Sequence, residues 1–296
     1  MSTLIDNQKK GYLYENFRLF HLKDKSNQEF EYHFHDFDKI IIFLSGTVTY
    51  LIEGKAYYLK PWDILLVNHH DIHRPIIDAA NTYERIIIWI KPDYIEQQKN
   101  NSTDITACFT KAIEKSFNLI RLESDLLQKI QYLISELETA LLSEEFGSDL
   151  LSNSLFIQFM VYLNRIFLRE QYTNDTSFLK YDKQTEEVIR YINQHLSEPL
   201  SNQKLAHEFY LSKYYLMHKF KEETGYSIHN YILHKRLLLS VEYLKDGIPV
   251  MKAAQLSGFG DYSSFLRSFR KLFHKSPRDF MNSNEMNVSN NNKKLL

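Results

Sequence analysis

Between about Tyr12 and Ile95 the apolar residues come in short runs: Lys39-Ile-Ile-Ile-Phe-Leu44, Thr47-Val-Thr-Tyr-Leu-Ile52, Ala56-Tyr-Tyr-Leu59, Asp63-Ile-Leu-Leu-Val67 and Arg85-Ile-Ile-Ile-Trp-Ile90. They are rich in β-branched and aromatic residues and are broken at Gly46, Glu53-Gly54 and Lys60-Pro61. That pattern predicts antiparallel strands forming a sandwich or barrel over 12–95. Past Pro92 the period lengthens. Leu126, Ile130, Leu133, Leu137 and Leu141 form one stripe at helical spacing, and Leu155, Phe159, Leu163 and Phe167 form another. A helical segment over 105–170 follows, whose stripes permit a dimer seam as readily as packing on the chain's own barrel. Residues 171–182 are polar and read as a linker. Residues 282–296, with Asn290-Asn-Asn-Lys-Lys294, read as a disordered tail.

Residues 183–281 contain a near-repeat of a two-helix unit. In the first copy Ser201 caps a helix with Leu205, Ala206 and Phe209. A turn follows at Tyr210-Leu211, and Ser212 caps a second helix with Leu216 and Phe220 inward, stopped by Gly225. The second copy has Pro249 at a helix's first turn, Ala253 and Ala254, a turn at Gly258-Phe-Gly260, and a helix with Phe265 and Phe269 inward. Small alanines let two helices cross closely, as a helix-turn-helix requires. With the apolar positions fixed inward, the period turns Tyr214, Met217, His218 and Lys221 outward in the first unit. In the second it turns out Ser263, Leu266, Arg267 and Arg270. Arg267 suits a bidentate contact to guanine. His218, Tyr214 and Ser263 suit base edges or phosphate, and Met217 and Leu266 suit thymine methyls. Lys213, Lys221, Arg270, Lys271 and Lys275 suit phosphates. From Ile228 to Leu244 one unbroken helix of about 25 Å spaces the units near the ~34 Å repeat of the major groove.

Charge strengthens this division. The chain is nearly neutral, yet the part from Lys180 onward carries 18 Lys+Arg against 12 Asp+Glu, and the part before it 18 against 25. A basic module joined to an acidic one fits a polyanion-binding half and a half with another task. No apolar run is long enough to span a bilayer, the N-terminus has no secretory apolar segment, and Cys108 is the single cysteine. These features predict a cytoplasmic protein without disulfide or multi-thiolate metal site.

The stretch Gly258-Phe-Gly-Asp-Tyr-Ser-Ser-Phe-Leu-Arg-Ser-Phe-Arg-Lys-Leu-Phe-His-Lys-Ser-Pro-Arg-Asp-Phe280 resembles the second helix-turn-helix and closing helix of the AraC/XylS family of transcription regulators. Leu205-Ala206, Ser212, Leu216, Phe220 and Thr224-Gly225 resemble its first unit, so the likeness spans Glu187 to Met281. It implies DNA-reading positions at Tyr214, Met217, His218, Tyr262, Ser263 and Arg267. Met217 and His218 replace the more hydrophilic Gln/Arg residues often found there. The implied partners are promoter DNA, RNA polymerase, a small-molecule effector and a second copy in a homodimer, with no membrane.

Upstream, His33-Phe-His35, Gly54, Pro61-Trp-Asp63 and His73 resemble the two motifs of a cupin-like sensor. His33 and His35 would share a strand face that His73 approaches across the barrel. Three imidazoles suit Zn²⁺, Ni²⁺ or Fe²⁺. However, Lys39 stands where metal-binding cupins usually add a carboxylate, and a cation there opposes a metal unless it points to solvent. The expectation is therefore no metal and no other cofactor. Instead a sugar or other small polar effector meets His33, His35, His73, Arg85 or pocket aromatics; histidines that only satisfy barrel hydrogen bonds are the alternative. The expected fold is multidomain α+β, with an N-terminal cupin-like β-barrel plus helices and a C-terminal all-α tandem helix-turn-helix domain. A non-enzymatic, effector-controlled, sequence-specific regulator is the leading reading. A metal-dependent cupin enzyme and a sequence-indifferent architectural DNA binder are its rivals. Cys108 alone excludes the four-cysteine zinc site of related DNA-repair regulators.

Overall fold

The computed structural model describes residues 13, 15–25, 30, 33–35, 37–69, 71–78, 80–98, 102–169, 179–180, 182–273 and 275–281. Most of the expected linker and all of the expected tail lie outside the described residues. The chain divides into two compact units, Met1–Tyr181 and Asp182–Leu296.

In the first unit nine strands are described: β1 Phe17–Asp24, β2 Asp38–Ser45, β3 Val48–Ile52, β4 Lys55–Tyr58, β5 Ile64–Val67, β6 His73–Ile77, β7 Tyr83–Ile90, β8 Leu119–Ile120 and β9 Leu179–Lys180. They pair antiparallel in two sheets, ordered β1-β7-β2-β5-β8 and β6-β3-β4-β9, rather than in one closed barrel. Residues of both sheets share one core, including Ile41, Phe43 and Ile88 from the first and Val48, Tyr50 and Ile52 from the second. The β3–β4 hairpin turns through Glu53 and Gly54, both at positive φ, as a tight two-residue hairpin loop requires.

Four strands add to the five expected. β1 and β6 are edge strands, and β6 carries Pro75, a residue that argues against a strand except at an edge. β8 and β9 are two residues each, too short for any periodicity. Leu179 and Lys180, within the segment expected to be linker, pair with Tyr57 and Ala56.

Four helices are described in this unit: α1 Pro92–Glu96, α2 Ala107–Lys115, α3 Ser124–Leu142 and α4 Ser148–Phe167. α3 and α4 pack together, burying Ile130, Leu133, Ile134 and Leu137 against Phe156, Phe159, Met160, Leu163 and Phe167. The inward face also takes Ile134 and Ala140, while Leu141, in the last turn of α3, is exposed. Phe156 stacks on Phe17 of β1 at 4.3 Å, which sets the pair against the outer face of the five-stranded sheet.

The second unit is helical: α5 Lys183–Gln194, α6 Asn202–Glu208, α7 Lys213–Thr224, α8 Ile228–Lys245, α9 Val250–Leu256 and α10 Tyr262–Phe273, then a helical turn over 277–281. Of the six helices α5–α10, five have a side-chain cap at the start. Asp182, Ser201, Ser212 and Ser227 accept from Thr185, Lys204, Tyr215 and Asn230 N–H, and Asp261 Oδ2 accepts from Ser264 N–H at 2.7 Å. Gly225 ends α7 in the left-handed region, and Pro249 sits one residue before α9.

Candidate nucleic-acid interface and effector site

α6–α7 and α9–α10 form the two helix-turn-helix units, and α8 joins them. One end of α8 buries Ile228, Tyr231 and Ile232, with Tyr231 edge-on to Phe220 of α7 at 5.4 Å. Its other end buries Leu237, Val241 and Leu244 against Ala253, Ala254, Phe265 and Phe269. The middle is also tied. Arg236 Nε donates to Leu196 O (2.8 Å) and its Nη2 to Glu198 O (2.6 Å), both in the loop before α6. Gly258, at φ +90 in the turn of the second unit, lies so close that a Cβ there would stand 2.2 Å from Leu196 O and 2.9 Å from Arg236 Nε. The turn of one unit, the strut and the approach to the other unit thus meet at one point.

On α7 the side chains of Tyr214, Met217, His218 and Lys221 are all exposed, Tyr214 at 82%. His218 Nδ1 lies 3.9 Å from Glu222 Oε2. On α10 Tyr262, Ser263, Arg267, Arg270 and Lys271 are exposed. Leu266 is half-buried and packs on the second unit's core, which reduces the apolar surface it offers outward. Tyr262 also stacks on Phe265 at 6.1 Å and lines an open cavity of about 640 Å³ with Pro249, Met251 and Arg278. Tyr210, in the turn read from the sequence, is 95% exposed at φ +55, and Tyr215 is exposed beside Tyr214.

In the first unit the three histidines do come together, by a different route from the one expected. His73 does not reach across a barrel. It is the direct antiparallel partner of His33, with backbone N–H···O bonds of 3.1 and 2.9 Å in both directions. The ring centroids lie 4.4 Å (His33–His73), 5.0 Å (His33–His35) and 5.3 Å (His35–His73) apart. Lys39 does not point to solvent. Its side chain is buried, and its Nζ donates to His35 Nε2 at 2.9 Å and to His73 Nε2 at 3.0 Å. His73 Nδ1–H in turn donates to Asp71 O, which fixes the tautomer.

Burial, reinforced by Lys39, holds His35 far below the usual histidine range, and His73 moves the same way for the same reasons. Both rings are neutral and aim lone pairs at one point. Burial lowers Lys39 to about 7. The ligand atoms of His33, His35 and His73 all lie within 4.8 Å of one another, a spacing that a metal site could use. The residues present nevertheless do not fit a resident metal, because an amine that becomes an ammonium on protonation takes the convergent lone pairs a metal would need.

Arg85 lies apart from this cage. In the β2–β7 register Trp89 faces Lys39 whereas Arg85 faces Phe43, four positions or about 13 Å along the strand. Arg85 Nη1 donates to Asp24 Oδ2 at 2.8 Å, and the guanidinium covers the Tyr83 ring at 4.3 Å. Asp63 of the second motif is structural: it takes both Nε and Nη2 of Arg121, at 2.9 and 2.6 Å.

Two families account for most of the chain. Residues 205–283 match the family described as a helix-turn-helix domain, and residues 19–160 match the AraC-like ligand binding domain. The chain belongs to the AraC/XylS family. It is a DNA-binding transcription regulator of the AraC type with a ligand-binding domain. It is 26% identical over 258 residues to the HTH-type transcriptional activator RhaS of Salmonella schwarzengrund, covering 84% of this chain and 87% of that protein. Among solved structures, ToxT of Vibrio cholerae aligns over 90% of this chain and 98% of its own at 14% identity, with a TM-score of 0.35. A Listeria innocua protein aligns over 33% of this chain and 93% of its own at 28% identity, with a TM-score of 0.32. In AraC-family terms, the histidine cage belongs to the ligand-binding domain and the α7 and α10 stripes to the helix-turn-helix domain. No described helix is long and apolar enough to cross a membrane.

Proposed function

We propose that this AraC-family regulator reads promoter DNA with α7 and α10 and adjusts transcription when a small polar molecule, such as a sugar, binds its N-terminal unit. The observation that carries the reading is the pair of exposed stripes on two recognition helices held by one strut. On α7, Tyr214, His218 and Met217 are taken as base contacts and Lys221 as a phosphate contact. On α10, Arg267 and Ser263 read base edges, Tyr262 and Leu266 add apolar contact, and Arg270 and Lys271 bind phosphate. His33, His35 and His73 are taken as the effector-side residues, with Arg85 at a second position on the same strand face.

The unit is taken to act as a non-catalytic sensor, since the amine of Lys39 lies where metal-assisted chemistry would need an ion. A homodimer is supported by the tip of the α3–α4 pair, where Leu142, Phe146, Leu150 and Leu151 are largely exposed. RNA polymerase is the further partner that regulation from a promoter requires, and the cytoplasm is the compartment where both are met. A genome-wide map of bound DNA, with and without candidate ligands, tests the whole reading. One enriched motif with two half-sites is the expected result, and uniform occupancy would overturn it.

A further inference from the structure

The cage around Lys39 has an unusual charge balance. Among the described residues no carboxylate pairs with Lys39, whose two hydrogen bonds both end on neutral imidazoles. The nearby acids are engaged elsewhere: Asp38 with His69 through both backbone N–H and Nδ1 at 2.7 Å, Asp71 with Asn68, and Glu53 with Ile72 N–H. A cation taken out of water is expensive unless an anion meets it. An unmet donor stands on the neighbouring strand. Trp89 faces Lys39 in the β2–β7 register, its ring packs on Phe37 at 4.6 Å and lies 6.1 Å from that of His35, and its Nε1–H is buried with no acceptor. Farther along the same face the hydroxyls of Tyr83 and Tyr50 are buried together and bond to each other. An amine without an anion and an indole N–H without an acceptor, on directly paired residues, call for an acceptor that carries negative charge. The partly exposed run His33-Phe34-His35 gives that corner its access to solvent.

We infer that the effector of this domain is an acid, a small organic carboxylate whose carboxylate group pairs with Lys39 and accepts from Trp89 Nε1–H. The inference rests on the reading of the N-terminal unit as a sensor and narrows its ligand from polar molecules in general to anionic ones. Lys39, its ammonium form favoured by the bound carboxylate, then plays the part that a metal plays in a metal-dependent site: a positive centre, oriented by His35 and His73, that receives the ligand's oxygen atoms. Arg85, farther along the same face, is already neutralised by Asp24 and leaves Lys39 as the cation open to the ligand.

The test uses the full-length protein with Trp62→Phe, which leaves Trp89 as the only tryptophan of the two in the chain. Galacturonate, glucuronate, gluconate, acetate and succinate are titrated against galactose, glucose and sorbitol, following Trp89 emission and Tm. At least one carboxylate is expected to bind saturably while its neutral counterpart does not. Lys39→Met should weaken that acid at least about tenfold, in line with loss of a charge-assisted bond. Trp89→Phe, which keeps the ring packing and removes the N–H, should weaken the acid alone by about three- to tenfold, read by Tm. Circular dichroism verifies that each variant is folded. A neutral sugar that binds and is indifferent to Lys39→Met would keep the sensor and overturn the acid. Carboxylate binding that survives both substitutions would also overturn it. Silence across the whole panel counts against the sensor reading itself.

Discussion

Single residues divide into those whose role is written in their spacing and those whose role depends on three-dimensional partners. Arg267 is of the first kind: the apolar pair Phe265/Phe269 already dictates that it faces outward, and it does. Arg267→Ala is expected to cost roughly 1–3 kcal/mol at the cognate operator and to relax preference at one base position. Lys271→Ala should instead weaken all sequences alike and lower the salt slope by about 0.9. Fluorescence anisotropy on cognate and scrambled duplexes at two salt concentrations separates the two. Equal loss on both duplexes for Arg267→Ala would remove its base-reading role.

Lys39 is of the second kind. From Asp38 to Phe43 every residue of β2 is buried, so the strand has no polar face and the alternation that normally reveals a side chain's direction is silent. The neutral histidines around it have a measurable signature. Their pKa values are depressed in the folded state, so below about pH 6.5 the unfolded chain binds protons that the folded chain refuses. Stability therefore falls as pH drops through that range. The expected slope is up to about 1.4 kcal/mol per pH unit for each of His35 and His73. Thermal unfolding between pH 5 and pH 7 should record it. His73→Gln should flatten the dependence, and a flat wild-type profile would contradict the buried neutral cage.

At the scale of elements, runs and caps were legible wherever the chain supplied local chemistry. Ser201 and Ser212 cap as their positions before the apolar runs require, and Gly225 stops α7 because it alone among its neighbours enters the left-handed region without strain. Ser212→Ala is expected to cost about 1 kcal/mol, seen as a lower Tm for the helical unit. What escaped local reading were pairings that need a distant partner: β8 and β9 exist only because β5 and β4 offer them an edge. Leu141 was misplaced for a related reason. Leu141 shares its helical face with Ile134, one heptad away, and is exposed in the last turn of α3, which spacing alone does not reveal.

Across the whole molecule, the division into a sheet-rich half and a helical half follows from periodicity and charge, whereas assembly depends on surfaces that periodicity cannot see. Leu142, Phe146, Leu150 and Leu151 form an apolar tip that a dimer would cover. Phe146→Ser with Leu150→Ser is expected to shift sedimentation from dimer to monomer and to weaken full-operator binding by about 10²-fold or more, while half-site binding holds. A monomeric wild-type protein would dismiss the tip as an interface.

The junction of Gly258, Arg236 and Leu196 has a consequence for operator sequences. Because the turn of one reading unit is wedged against the approach to the other, the protein carries a ruler of fixed length and phase. An operator with one base pair inserted between its half-sites would be out of step by about 34–36° of helical rotation. Neither unit could recover that offset by swivelling. Tolerance to such insertions should appear only when the wedge is loosened, as in Gly258→Ala. Genuine sites in a genome should therefore share one spacing even where their bases differ.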